Sequence, residues 1–195
     1  TLSTPSNGAY GNIPYIQDLG YYLNYSYYTH TQQSVEFVSS SSYSRGDYPT
    51  PTVYSTGSSS GPVLVNTTLT QPIIYGQSGE LNIVVDNYGR GVVIGPINMS
   101  IVMDSKIINI SNPKIFGLSP HVYSNGTVVF TISKNIPASG VSFTIPINLV
   151  PSEESYLSSS SIPYISSNIQ IYVSYDYIEE GFIPISLNTE DIASS

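Results

Sequence analysis

The stretch VSFTIPINL, Val141–Leu149, decides the fold. Val141, Phe143, Ile145, Ile147 and Leu149 occupy alternate positions, with Ser142, Thr144, Pro146 and Asn148 between them. Period two over this length is the signature of a strand with one buried face. The same pattern recurs on both sides. Leu81, Ile83 and Val85 alternate in residues 80–86. Ile97, Met99, Ile101 and Met103 alternate in 97–103. Val128, Phe130 and Ile132 do so in 127–132, and Ile169, Ile171, Val173 and Tyr175 in 169–175. Most of these residues are β-branched or aromatic, as strands prefer.

Turn residues separate the segments. Asn87-Tyr88-Gly89 and Gly89-Arg90-Gly91 predict one hairpin, and Asn125-Gly126 predicts a second with a two-residue loop. Residues 137–140 form another break, and Pro146 and Pro184 predict edges or bulges. No stretch carries an amphipathic helical pattern. Regular short strands at this spacing predict an all-β fold, an immunoglobulin-like antiparallel β-sandwich with an extended N-terminal tail strand.

The front of the chain reads differently. Tyr21, Leu23, Tyr25 and Tyr27 share one face of an alternating run, and Tyr10, Ile13, Tyr15 and Ile16 lie in an extended stretch before it. Residues 39–61 are low-complexity Ser, Pro, Gly and Tyr without a core pattern, which predicts a loop or spacer. The expected organisation is an extended segment over residues 1–28, ending somewhere between 18 and 30. A sandwich head then covers 29–195 and carries the Ser/Pro-rich loop 39–62.

Composition narrows the function. Only 9% of residues are charged, against roughly a quarter in an ordinary domain. The net charge is −8, and Arg45, Arg90, Lys106, Lys114 and Lys134 are scattered, so neither a nucleic-acid-binding patch nor an anionic-membrane patch is expected. No apolar run approaches the roughly 18 residues of a membrane span. The absence of cysteine excludes disulfides and thiolate chemistry. With so few carboxylates, little native stability is exposed to protonation, which suits an acidic medium. If the chain is secreted, Thr1 is a processed N-terminus.

Catalytic readings are weak. Residues 57–61 spell G-S-S-S-G, but a nucleophile elbow needs a strand before it and a helix after it, and the run is simply Ser-rich. His30 and His121 lack companions at metal-ligand or triad spacing. Glu153-Glu154 and Glu179-Glu180 are adjacent acids, read as solvated. Arg45-Gly46-Asp47 is an adhesion tripeptide by letter only. The lysines raise the idea of a Lys–Asn crosslink without identifying a pair. No cofactor or metal is expected, and the chain reads as non-enzymatic. Asn24, Asn66, Asn98, Asn109 and Asn125 each begin an Asn-x-Ser/Thr sequon, so N-linked glycans are expected partners.

The Tyr-rich extended segment, residues 10–28, followed by the alternating strands of residues 81–175, resembles the layout of archaeal surface filament subunits of the thread type. Type IV pilins and archaeal flagellins begin instead with a long apolar helix, which residues 1–30 cannot form. The resemblance implies a structural subunit of an extracellular filament at the cell surface, serving adhesion or contact between cells. In that family the tail of one subunit completes the sandwich of the next, so the implied partners are identical subunits. The implied donor residues are Tyr10, Ile13, Tyr15, Ile16, Leu19, Tyr21 and Leu23. An extended donor supplies main-chain hydrogen bonds along a sheet edge and side chains for alternate pockets. Two rival classes share the composition. One is a secreted glycan-binding module using exposed tyrosines, and the other is an envelope-layer or virion-coat component.

Overall fold

A computed structural model describes residues 15–48, 50–58, 61–137, 140–153, 157 and 164–187. Its contacts divide the chain into two compact units, Asn24–Ile178 and a smaller one that joins Thr1–Leu23 to Glu179–Ser195.

The larger unit is a two-sheet β-sandwich, the all-β architecture that the alternation predicts. One sheet has the order β4-β1-β11-β6-β9-β8, and the other β2-β3-β5-β10-β7. The first sheet is built from β1 (Tyr15–Val38), β4 (Ile73–Ile74), β6 (Val92–Asp104), β8 (Ser119–Val122), β9 (Thr127–Asn135) and β11 (Tyr164–Leu187). The second is built from β2 (Thr52–Thr56), β3 (Val63–Gln71), β5 (Gly79–Asn87), β7 (Ile108–Ile110) and β10 (Val141–Leu149). The strand pairs β3–β5, β5–β10, β10–β7, β2–β3, β11–β6, β6–β9 and β8–β9 are antiparallel, and the two-residue contact of β1 with β4 is parallel. The immunoglobulin-like label concerns connectivity and family likeness, which a two-sheet sandwich does not by itself supply.

The alternating residues meet between the sheets. Leu81, Ile83 and Val85 of β5 are buried, as are Ile97, Met99, Ile101 and Met103 of β6 and Ile169, Ile171, Val173, Tyr175 and Tyr177 of β11. Ile145, Ile147 and Leu149 of β10 join them, while Val141 and Phe143 pack from a half-buried position. Each large aliphatic side chain buried this way contributes about 1.5–3 kcal/mol before entropy is set against it. Pro146 lies within an interior strand. It stands one residue before β10 begins to pair with the three-residue β7, so its missing N–H interrupts no ladder bond between them.

Three sequence expectations are corrected. Residues 87–91 do not close a hairpin, because β5 and β6 lie in different sheets. The connection crosses the sandwich instead. Tyr88 and Gly89 donate their N–H groups to the Pro62 carbonyl, and Gly91 N–H donates to the Tyr177 hydroxyl at 2.8 Å. The Asn125-Gly126 hairpin between β8 and β9 exists, but its loop has three residues. Tyr123 N–H donates to Thr127 O, Gly126 N–H closes the turn onto Tyr123 O, and Gly126 takes the positive φ of 90° that such a loop needs. The Ser/Pro-rich region 39–62 is not all loop. It holds a short helix α1 (Ser40–Ser44), N-capped by the Ser39 hydroxyl, and the edge strand β2, paired along β3. β2 is exposed over most of its length, so it has no core face for periodicity to reveal.

The inner face of β1 changes character along its length. Tyr25 and Tyr27 are half-buried, Thr29, Thr31 and Gln33 are buried, and Val35 and Phe37 complete the row. The buried amide and hydroxyls satisfy one another. Gln33 Oε1 accepts from Thr67 Oγ1 at 2.9 Å, Thr56 and Thr67 hydroxyls bond at 2.6 Å, and Thr31 donates to Gly57 O at 3.1 Å. No buried side-chain polar atom among the described residues lacks a partner. Gln71 Nε2 donates to Ser34 O, so the polar row binds β1 to β3 as well as filling space.

The smaller unit contains the described residues 15–23 of β1 and 179–187 of β11. A Cβ on Gly20 would lie 3.4 Å from the Phe182 ring, and one on Gly181 would lie 2.5 Å from the Tyr21 ring. Those neighbours run in opposite senses, so the ribbon is antiparallel, with an aromatic ring laid over the glycine opposite it. A ring covering a cross-strand glycine supplies the packing that the missing side chain cannot.

Candidate binding surfaces

Two surfaces stand out, one in each unit. In the smaller unit the ribbon leaves apolar side chains in solvent. Ile16 is 65% exposed and Phe182 76%, and Leu19, Tyr22, Leu23, Ile183 and Ile185 are also exposed. Both strands contribute, and consecutive residues such as Tyr22 and Leu23, or Phe182 and Ile183, place apolar groups on both faces. An isolated two-stranded ribbon is marginal in water, and contiguous exposed apolar surface marks an interaction site.

The expected donor residues divide accordingly. Ile16, Leu19 and Leu23 are exposed on β1 and Tyr21 is half-buried over Gly181. Tyr15 opens β1. Tyr10 and Ile13 lie outside the described residues. β1 runs without a break through position 28, and the division between units falls at Leu23/Asn24. Phe182, Ile183 and Ile185 were missed by the sequence reading. Their signal was the apolar run FIPI at residues 182–185, of which only Pro184 was read, as an edge or bulge.

β1 also offers a backbone edge. Within the larger unit its neighbours are β11 on one side and, on the other, β4, which pairs only with Phe37 and Val38. From residue 24 to residue 36 no described strand occupies that side. A sheet edge with no strand alongside is a template for an added strand.

The second surface lies on the outer face of the six-stranded sheet. Tyr28 and His30 of β1 stand beside Tyr172 of β11. The Tyr28 and Tyr172 rings are 5.7 Å apart at 23°, and those of His30 and Tyr172 are 6.2 Å apart at 29°. Tyr28 and His30 are 6.4 Å apart at 28°. A column of three rings would separate its outer members by about twice the strand spacing. Three nearly equal separations instead describe a patch. It borders an open groove of about 570 Å³ whose polar lining includes Gln32, Ser58 and Gln170. Partial desolvation raises the Tyr28 phenol above its ordinary pKa, and the Tyr172 phenol adds to the rise.

Other sequence candidates are dispersed. His121 sits on β8, edge-on to Tyr123 at 4.7 Å, far along the sheet order from His30. Gly57 and Ser58 follow the antiparallel strand β2, and the Ser58 hydroxyl accepts from Val65 N–H, so Ser58 is tied to β3. Arg45 Nε pairs with Asp47 Oδ2 at 2.9 Å, so the Arg-Gly-Asp tripeptide closes on itself. Glu179 and Glu180 belong to the ribbon, and Glu154 lies outside the described residues. No group of three or more His, Asp or Glu among the described residues could hold a metal, and no described helix is long and apolar enough to cross a membrane. Asn24, Asn98, Asn109 and Asn125 are exposed, and Asn66 is half-buried beside Gly57. No protein family, curated protein or solved structure matches this chain.

Proposed function

We propose that this chain is a structural subunit of an extracellular surface filament, in which the apolar ribbon of one copy adds to the outer β1 edge of the next. The observation that carries the reading is the ribbon itself, two strands with Ile16, Leu19, Leu23, Phe182 and Ile183 turned to solvent. Burying five such side chains at about 1.5–3 kcal/mol each yields on the order of 10 kcal/mol before the cost of association. The outer side of β1 before its short pairing with β4, where no described strand lies alongside, supplies a sheet edge for the same contact. Ribbon and edge are different surfaces, so the contact is heterologous and propagates as an open fibre. Adhesion or contact between cells is the role such a fibre serves. Exposed sequons suit the same setting, and Asn24, Asn98, Asn109 and Asn125 are the glycan sites we propose first, with Asn66 the least accessible.

The test is assembly. Native material, and purified chain concentrated in solution, should give filaments by negative-stain microscopy. The double substitution Leu19→Asp with Phe182→Asp, or deletion of residues 1–18, should give folded monomers by light scattering and circular dichroism. A wild-type chain that stays monomeric in every preparation, or variants that polymerise normally, would overturn the proposal.

A further inference from the structure

We infer that the patch formed by Tyr28, His30 and Tyr172, with the groove beside it, is a binding subsite for a neutral pyranose ring of a polysaccharide. This inference does not need the ribbon and would stand if the chain did not polymerise, although both readings use the stretch of β1 around residues 28–32. A sugar ring has an apolar face of C–H groups and a rim of hydroxyls. The patch supplies the complement of the first, three near-parallel rings side by side, with Tyr28 56% exposed.

The rim supplies the second. Tyr172 Oη donates to Gln170 Oε1 at 2.6 Å, which fixes that amide and leaves its NH₂ directed away from the bond. The Gln32 amide makes no hydrogen bond to a described residue and lines the same groove. Amides both donate and accept, as do sugar hydroxyls. A proline-rich peptide, the other common guest of aromatic grooves, offers mainly carbonyl acceptors. Among the described residues no Asp, Glu, Lys or Arg lines the groove, so apart from His30 it presents no ionisable group to select an acidic glycan.

The site is also held in shape before any ligand arrives. Its far wall, Gly57 and Ser58, is pinned by Thr31 Oγ1 donating to Gly57 O at 3.1 Å and by Val65 N–H donating to Ser58 Oγ at 2.9 Å. The rings project from two neighbouring strands whose inner faces are buried at Thr29, Thr31, Ile171 and Val173. Such preorganisation lowers the entropy lost on binding.

Affinity electrophoresis of the full chain through native gels containing laminarin, dextran, yeast mannan or galactomannan tests this directly. Retardation by at least one of these neutral polysaccharides is expected. Tyr28→Ala should weaken it about tenfold, the loss of one well-packed aromatic contact and its hydrogen bond. Tyr28→Phe should retain most of it, and Tyr123→Ala, an exposed tyrosine elsewhere, should retain all of it. Circular dichroism of each variant checks that the sandwich is intact. Three outcomes would overturn the inference: no retardation by any neutral polysaccharide, retardation unchanged in Tyr28→Ala, or binding confined to alginate or to a polyproline peptide.

Discussion

The sandwich and the ribbon are made from the same two strands, and they treat apolar residues in opposite ways. In the sandwich, β11 buries Ile169, Ile171, Val173, Tyr175 and Tyr177 on one face and turns Gln170, Ser174 and Asp176 to solvent. In the ribbon, the same strand exposes Phe182, Ile183 and Ile185 together. Among the described residues, the first segment has a second sheet to pack against and the second only its partner strand. Alternation is therefore a sign of a face that is satisfied within the chain. Its loss in a strand that remains apolar is a sign of a surface that awaits a partner.

Paired truncations break or confirm this contrast most sharply. Ile101→Ala, at a fully buried site on β6, should destabilise the chain by about 2–5 kcal/mol in urea unfolding. Leu19→Ala, half-exposed on the ribbon, should change monomer stability by no more than about 0.5 kcal/mol while reducing assembly. Equal effects on unfolding at the two sites would remove the distinction between a closed core and an open surface.

Backbone close approach gives the next largest effect. A Cβ on Gly91 would collide with the Ile178 carbonyl and crowd the Tyr177 ring. Gly91→Ala should therefore cost about 1–3 kcal/mol by overpacking. An unaltered midpoint would show that the crossover from β5 to β6 can shift to make room.

How far the sequence revealed these regions follows from the same contrast. β5, β6, β9, β10 and the sandwich part of β11 were legible because each buries one face, so the chemistry alternates with the pleat. The crossover at residues 87–91 was misread because its Asn and Gly residues signal a turn but not which sheet receives the next strand. β2 was hidden because an edge strand with little buried area has no pattern to impose. Thr29, Thr31 and Gln33 concealed the continuation of β1, since their polar groups are satisfied far along the chain, Thr29 by Val63 and Tyr175, and Thr31 and Gln33 by Thr56 and Thr67. The aromatic patch needed the pairing of β1 with β11, because Tyr28 and Tyr172 are neighbours only across that register. Nothing local marks either tyrosine among the 18 in the sequence.

The polar row and the tyrosines sharpen the comparison inside the sandwich. Gln33→Leu removes the acceptor of Thr67 and should cost about 1–3 kcal/mol, although Thr56 and Thr67 can still bond to each other. A neutral result would mean that the row fills space without fixing β1. Tyr175 is buried, and desolvation raises its pKa above the ordinary value near 10, outweighing the hydrogen bonds with Thr29 and Val63 that act in the opposite direction. The folded state thus holds the phenolic proton more tightly than the unfolded chain. The resulting stability is fully present below about pH 10 and is lost as pH rises through the folded pKa. Tyr175→Phe should cost about 1 kcal/mol at neutral pH through its lost hydrogen bonds and should flatten the alkaline decline. A variant with the same alkaline slope as wild type would assign the decline to other groups.

The smallest effect is expected from acid, and its smallness is informative. Among the described residues the only ion pair joins Arg45 to Asp47, and both are well exposed. A surface pair of this kind contributes about 0–1 kcal/mol, so Asp47→Asn should leave unfolding almost unchanged. The carboxylate hydrogen bonds of Ser26 to Asp176 and of Lys106 N–H to Asp104 are exposed as well. Protonating carboxylates therefore removes little that the sandwich depends on, and a ribbon whose exposed groups are apolar has little in its docking surface to titrate. Urea midpoints at pH 7 and pH 3 should differ by much less than the Ile101→Ala effect, and filaments should persist at both. If acid dissolved the filaments but left the sandwich folded, the contact between copies would have to rest on carboxylates such as Asp18, Glu179 and Glu180 of the ribbon, and its apolar residues would be bystanders.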